Sequence, residues 1–498
     1  MKSWNWKYLK KLVRTFSLNE KRFLKSQTVP VKTRITKDYS EVYDKIIKDN
    51  LLCEEEFKNS IGKKNLSFEK AKFAKKLFSH LRNYHEGSSI EISLHNALCD
   101  IEILFTKQLY EFCFEVINYN IKISVHHQMY ELTLQFAKWK RRCLSRIDNI
   151  KLTKNQLKEL NELDKECYFQ LNILSQLRIV QQELVQIINK KGNSFDEEDR
   201  KKSLQLLSRI NIDSSKVNSL TAQAVYNEIN SWVAYYVHND NNLALEYNTN
   251  SYKLFKKSKH LIAVYPQMFL SIYCSYYTRS VLNKRENTSH ILAEIKELQV
   301  TKKINIPEDV RVQAFMFTSE AEMLRNIDSE KFQETIDLSK QHNKYLSKHS
   351  SYIKKSYVLI QQYCIGLAHF NLKEFTLALR YTKQNIDEFN DTIRLDYYMY
   401  NLTLNFIIHI ELENFHIYKH LNSTYKHAVK KHGLQDLEEG IYASFFHQFV
   451  KKANSAANLY LETYEALEAF DSTNKKGAYD IHLSKWFLEK DKELKKLF

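Results

Sequence analysis

Residues 358–386 read VLIQQYCIGLAHFNLKEFTLALRYTKQNI. Apolar and aromatic side chains recur at helical spacing on both sides of a turn at Phe375, which predicts two amphipathic helices folded back on each other. The same spacing runs almost end to end through the 498 residues, among which there are only 7 glycines and 3 prolines. Average usage would supply several times as many. Sheets and Gly-rich loops need punctuation that this sequence mostly lacks. The expected fold class is all-α, built from antiparallel helix pairs.

A single compact core stops growing at roughly 250–300 residues, so two or three lobes or an elongated array of helices are expected. Composition is 43% hydrophobic and 27% charged, with 31 Tyr and 28 Phe. That is ample material for a core and excludes global disorder. The net charge is +16. Residues 1–37 hold eleven Lys and Arg against the single acid Glu20, which concentrates the excess in a basic arm. Such an arm suits nucleic acid, an anionic membrane surface or an acidic protein.

The cysteines (Cys53, Cys99, Cys113, Cys143, Cys167, Cys274 and Cys364) are odd in number and form no CxxC. They read as small buried hydrophobes of a reducing compartment. No run of about 18 apolar residues exists to cross a membrane. Lysines interrupt the N-terminus too often for a secretory segment. The expected location is the cytoplasm.

In sequence order, residues 4–16 form a basic amphipathic helix. Trp4, Tyr8, Leu12 and Phe16 recur every four residues, Leu9 and Val13 stand beside them, and Lys7, Lys10, Lys11 and Arg14 take the rest of the surface. It could lie in a membrane interface or dock on its own protein. Residues 27–37 read as a linker, followed by short helices near 38–49, 53–61 and 67–85, the last opened by Ser67. Residues 153–190 form one long helix, after which Ser194 and Glu197 suit a capping box. The expected organisation is an arm at 1–37, a helical lobe at 38–192 and a repeat region at 193–498. A final amphipathic helix carries Trp486 and Phe487, with Lys485, Lys490, Asp491, Lys492, Lys495 and Lys496 on its outer face.

Gly366, Ala368, Phe375 and Ala378 match the G-x-A-x6-[YF]-x2-A core of the tetratricopeptide repeat, in which small residues let the two helices of a pair approach and the aromatic sits at their turn. Trp232, Ala234, Asn241 and Ala244 stand at the same offsets. Phe332, Phe375 and Phe415 lie 43 and 40 positions apart, against the usual 34 of that family. The protein thus resembles a divergent tetratricopeptide-like α-solenoid, a right-handed superhelix. FSLNEKRFLKS at 16–26 is also similar to a family of uncharacterised bacterial helical-repeat proteins. The resemblance implies an architecture and a concave groove, and no activity.

Motifs for catalysis are missing. The glycines never cluster into a phosphate cradle, and no G-x-S-x-G elbow exists. Glu413, His416 and His420 share one face of a helix at a spacing zinc could use, though a solvated face is the simpler reading. No cofactor is expected, and the protein is expected not to be an enzyme. The expected function is a scaffold or adaptor that binds a peptide or helix of a partner in the groove. Candidate groove residues are Asn227, Asn230 and Tyr235 on one helix, Gln361, Gln362 and His369 on another, and Asn401 and Asn405 on a third. The alternative is a nucleic-acid-binding regulator that uses the arm and the cluster Lys138, Lys140, Arg141 and Arg142 around Trp139. A third is tethering to a membrane surface through residues 4–16.

Overall fold

The computed structural model describes residues 6–14, 16–26, 54–61, 66–85, 89–147, 150–210, 212, 217–284, 288–301, 306–389, 393–451, 457–473 and 481–495. Trp4, the linker expected at 27–37, the helix expected near 38–49, Cys53 and Lys496 lie outside the described residues. Among the described residues every regular element is helical. The protein forms two compact units, Met1–Asn161 and Glu162–Phe498.

The first unit holds α1 (Trp6–Arg14), α2 (Leu18–Ser26), α3 (Glu54–Ile61), α4 (Leu66–His85), α5 (Ile90–Thr106), α6 (Tyr110–His126) and α7 (Tyr130–Leu144). α1 buries Trp6, Leu9 and Val13 against Phe57, Phe73 and Leu77. The rings of Trp6 and Phe57 lie 4.4 Å apart. Tyr8, expected on the apolar face, is 68% exposed. The buried stripe is offset from the expected one, and the protein itself covers it. Ser17 and Glu20 reciprocally cap α2, with Ser17 N–H donating to Glu20 at 2.6 Å and Glu20 N–H donating to Ser17 Oγ at 3.2 Å. Ser67 stands inside the first turn of α4 rather than before it. α5, α6 and α7 pack as antiparallel neighbours around Ile101, Cys113, Ile117, Phe136 and Cys143.

The long helix α8 (Ile150–Lys191) has 42 residues, and the division between the units falls within it. The second unit continues with α9 (Glu197–Ser208), α10 (Leu220–Trp232), α11 (Asn241–Lys257), α12 (Pro266–Leu282), α13 (Ser289–Val300), α14 (Glu308–Asp328), α15 (Phe332–Leu346), α16 (Lys355–Asn371), α17 (Phe375–Glu388), α18 (Leu395–Glu411), α19 (Tyr418–His432), α20 (Glu438–Lys451), α21 (Ala457–Thr473) and α22 (Ile481–Lys495). From α10 onward consecutive helices pack on each other, and alternate helices α12, α14, α16 and α18 also touch in series. Ala368 and Ala378 are fully buried where α16 meets α17. A Cβ placed on Gly366 would lie 3.5 Å from Tyr381 Cβ, so the two helices approach to van der Waals contact there. Ala234 and Ala244 are buried together at the corresponding place between α10 and α11.

The turns explain how so few glycines suffice. α16 ends with Lys373 at φ 63°, Lys373 N–H donating to Phe370 O and Glu374 N–H to His369 O. This is a Schellman cap with lysine in the left-handed position that glycine usually takes. The same long bond, from a residue just past a left-handed one to the carbonyl five back, occurs at Leu109, Met129, Lys331 and Asn414. The left-handed residues before them are Gln108, Gln128, Glu330 and Glu413. In the second unit, left-handed residues end every other helix, α10 with its π turn, α12, α14, α16 and α18, at Asn239, Lys284, Glu330, Lys373 and Glu413. Helix-pair periodicity therefore resides in backbone geometry more than in residue identity.

The C-terminal core of this unit is aromatic. Phe445, Phe446, Tyr460, Trp486 and Phe487 lie within one cluster, with Phe445 and Phe487 centroids 4.7 Å apart. Trp486 Nε1 donates to Glu411 at 2.5 Å. Asp491, expected on the outer face of α22, is buried instead.

Candidate functional site

One row of helices in the second unit supplies the walls of a cavity of about 370 Å3. α8 contributes Ile188 and Asn189, α10 contributes Glu228, Ser231 and Trp232, and α12 contributes Ser271, Ser275 and Arg279. α14 contributes Gln313, Phe317 and Glu320, and α16 contributes Ser356, Tyr357 and Ile360. Arg394, just before α18, closes one side. Aromatic faces and short hydroxyl or amide side chains thus converge on one space, the usual make-up of a ligand site. Phe317 is 46% exposed, a large apolar ring left uncovered on this lining.

The end of α8 closes onto the start of α18 through a set of hydrogen bonds. Arg394 donates to Asp396 in a fork, Nε to Oδ1 at 2.8 Å and Nη2 to Oδ2 at 2.7 Å. Asn193 N–H donates to Asp396 Oδ2 at 3.0 Å, and Arg394 N–H donates to Asn189 O at 2.8 Å. Asp396 is fully buried. Burial alone would lower the Arg394 pKa, but the charge and hydrogen bonds of Asp396 hold it well above its ordinary value. Gly192 has φ +60°, and a Cβ there would stand 2.0 Å from the Asp396 carboxylate. Glycine is required both for the left-handed turn and for the close approach. The capping box expected at Ser194 and Glu197 sits two residues later, between Asp196 and Asp199. Ser194 Oγ is committed elsewhere, donating to Glu439 at 2.7 Å.

Helix α10 runs on into a π turn at Val233–Val237, with His238 N–H donating to Val233 O. Such turns shift side-chain direction within an otherwise regular helix. Here the turn buries Tyr235 beneath the Arg279 guanidinium, which lies 3.5 Å from the ring centroid. Two carboxyl groups in the cavity wall are pushed toward neutrality. Burial raises Glu228 to about 7 against the hydrogen bond from Gln181. Burial also raises Glu320 to about 7, with Arg394 lowering it and Asp396 raising it.

The residues expected in the groove are divided by the structure. Gln361 and Gln362 line a second cavity of about 290 Å3 with Asn343, Ser350 and Tyr381. Gln361 donates to Asn343 at 3.2 Å. Tyr235 is buried at 1% and supports Arg279 from beneath. His369 is buried, bound to Glu374 at 2.6 Å and stacked on Tyr381. Asn230 donates to Tyr226 O at 2.8 Å within its own helix, and Asn227 is part-buried. Asn401 is fully buried and donates to Tyr397 O at 2.6 Å, while Asn405 is 9% exposed. Sequence reading missed Arg279, Glu320, Arg394 and Asp396. For three of them the signal was charge inside an apolar aromatic stretch, a single Arg in SYYTRSVL and an Arg and an Asp in RLDYYMY.

The basic cluster of α7 is not one face. Lys138 is exposed, but Lys140 is buried at 8%, its Nζ 5.2 Å from the Phe114 centroid, and burial lowers its pKa. Arg142 stacks on Trp139 at 3.9 Å, and Arg141 donates to Asn161 at 3.3 Å. Lys7 is exposed, while the side chains of Lys10, Lys11 and Arg14 lie outside those described. Glu413 occupies the left-handed turn, His416 a short 3-10 turn and His420 helix α19, so the three do not share one helix. No helix among the described residues is long and apolar enough to cross a membrane. Five described cysteines are buried, and Cys99 is exposed. No family model, no curated protein and no solved structure matches this protein.

Proposed function

We propose that the Glu162–Phe498 unit is a tetratricopeptide-like superhelix that binds a peptide or helical segment of a partner protein along the face made by its alternate helices. The protein is then a non-catalytic cytoplasmic scaffold. The observation that carries this reading is the cavity shared by α8, α10, α12, α14 and α16, with hydroxyl, amide and aromatic side chains from successive helices along it. Such a ladder offers hydrogen bonds to an extended backbone and pockets to its side chains.

Affinity capture from the native cell, with nuclease treatment at moderate salt, tests it. A near-stoichiometric protein is expected with the wild type. It should be lost with Ser275→Trp, which fills the cavity without removing a charge. Capture unaffected by Ser275→Trp in a folded protein overturns the groove. Loss of every partner on nuclease treatment, with nucleic acid recovered from the untreated sample, favours the regulator instead. In that case binding should collapse by several orders of magnitude between about 50 and 200 mM salt.

A further inference from the structure

The cavity wall carries one buried charge that the fold leaves without an ion pair among the described residues. Arg394 is neutralised by Asp396. Arg279 is nine-tenths buried on α12, and among the described residues no carboxylate forms an ion pair with it. Its guanidinium rests on Tyr235, which the π turn holds in place. A buried cation without a counter-charge is costly, and a bound anion would offset that cost. A guanidinium stacked on a ring keeps its N–H groups in its own plane, where they form the fork that matches a carboxylate. Ser275 stands one turn before Arg279 on the same helix and also lines the cavity, adding a hydroxyl donor. Lys354, exposed at the rim, adds a second positive charge on the entry side.

The acids nearby do not compete for this role. Asp396 is saturated by Arg394 and Asn193, and Glu228 accepts from Gln181. Glu320 lies within the electrostatic influence of Arg394. A cationic ligand would find its best acceptors occupied, whereas an anionic one meets an open donor.

We propose that Arg279 anchors a carboxylate of the bound segment, so that the cavity takes a peptide by an acidic group. The carboxylate is supplied either by the free C-terminus of the peptide or by an Asp or Glu side chain within it. This rests on the groove reading above and adds the chemistry of its ligand.

The test titrates the full-length protein by calorimetry with three pools of acetylated tripeptides: free C-terminal acids without Asp or Glu, the same peptides amidated, and amidated peptides carrying one Glu. Wild type is expected to bind the free acids, the Glu pool or both about 10- to 100-fold more tightly than the amides without Glu, the range of a charge-assisted bond. Arg279→Gln should abolish that difference, and Arg279→Lys should keep part of it. Tighter binding of the Glu pool than of the free acids assigns the side-chain source, and failure of the Glu pool assigns the C-terminus. Should Arg279→Gln fail to fold, the acid-to-amide ratio of the wild type alone decides. Equal binding of all three pools to the wild type overturns the anchor and leaves the groove reading standing. No binding of either the free acids or the Glu pool at millimolar concentration also overturns it, and the groove is then judged by the Ser275→Trp capture.

Discussion

Replacing Asp396 by alanine should release the end of α8 from the start of α18. The carboxylate is fully buried and accepts three hydrogen bonds, two from the Arg394 guanidinium at 2.8 and 2.7 Å and one from Asn193 N–H at 3.0 Å. Asp396→Ala leaves the Arg394 side chain without its partner, and removing one member of a buried pair costs roughly 3–5 kcal/mol. If that loss opens the junction locally, amide exchange there should accelerate by about 100- to 1000-fold or more. Hydrogen exchange on the intact protein, read in peptides covering residues 186–200 and 393–405, measures it directly. The double variant Arg394→Met/Asp396→Leu should recover most of the protection, because both charges leave together. Exchange in both segments within threefold of wild type would refute the reasoning, since the hydrogen bonds would then contribute nothing to holding the two elements together.

Three further outcomes follow from other parts of the second unit. Glu228 has a folded pKa of about 7, above that of an exposed carboxyl, so its neutral form is favoured and its contribution is lost as pH rises from about 4.5 through 7. Glu228→Gln should therefore match wild type near pH 4 and gain up to about 3 kcal/mol at pH 8 in urea titrations; a gain at pH 4 of the same size counts against burial as the cause. Gly366→Ala should be tolerated or stabilising by about 0.5–1 kcal/mol, because the new methyl meets Tyr381 at 3.5 Å and alanine favours helix, whereas Gly366→Leu should lower the melting temperature; equal behaviour of both variants refutes the close approach. Lys373 holds φ 63°, so Lys373→Val should cost about 1–2 kcal/mol and Lys373→Gly should not; a valine variant as stable as the glycine variant would show that the turn relaxes.

Much of the fold could be read from the residues. The run 153–190 is the helix Ile150–Lys191, and Phe332 and Phe375 each open a helix after a turn. Helical periodicity and small-residue contacts are local, and local signals survive in sequence. The cavity was less legible. Asn401 and His369 are polar on apolar helices, yet one bonds its own backbone and the other a turn carboxylate. Composition does not distinguish such internal satisfaction from availability to a ligand. Arg394 and Asp396 gain their meaning from Asn189 and Asn193, some 200 positions earlier. A contact of that separation leaves no periodic trace. The capping box shifted from Ser194 to Asp196 for the same reason, since Ser194 bonds Glu439 across 245 positions.

That separation has a consequence during synthesis. Asn193 meets its partner 203 residues downstream. At 5–20 residues per second, the end of α8 emerges from the ribosome roughly 10–40 s before Asp396 has been made. Helix pairs between them can form as they appear, because their contacts are with immediate neighbours. The Gly192–Asn193 segment must wait for a carboxylate that does not yet exist. The second unit therefore cannot acquire its last shape until Asp396 has been made, and a ribosome paused between the two segments would hold a stack of paired helices whose ligand site is still open on the Arg394 side.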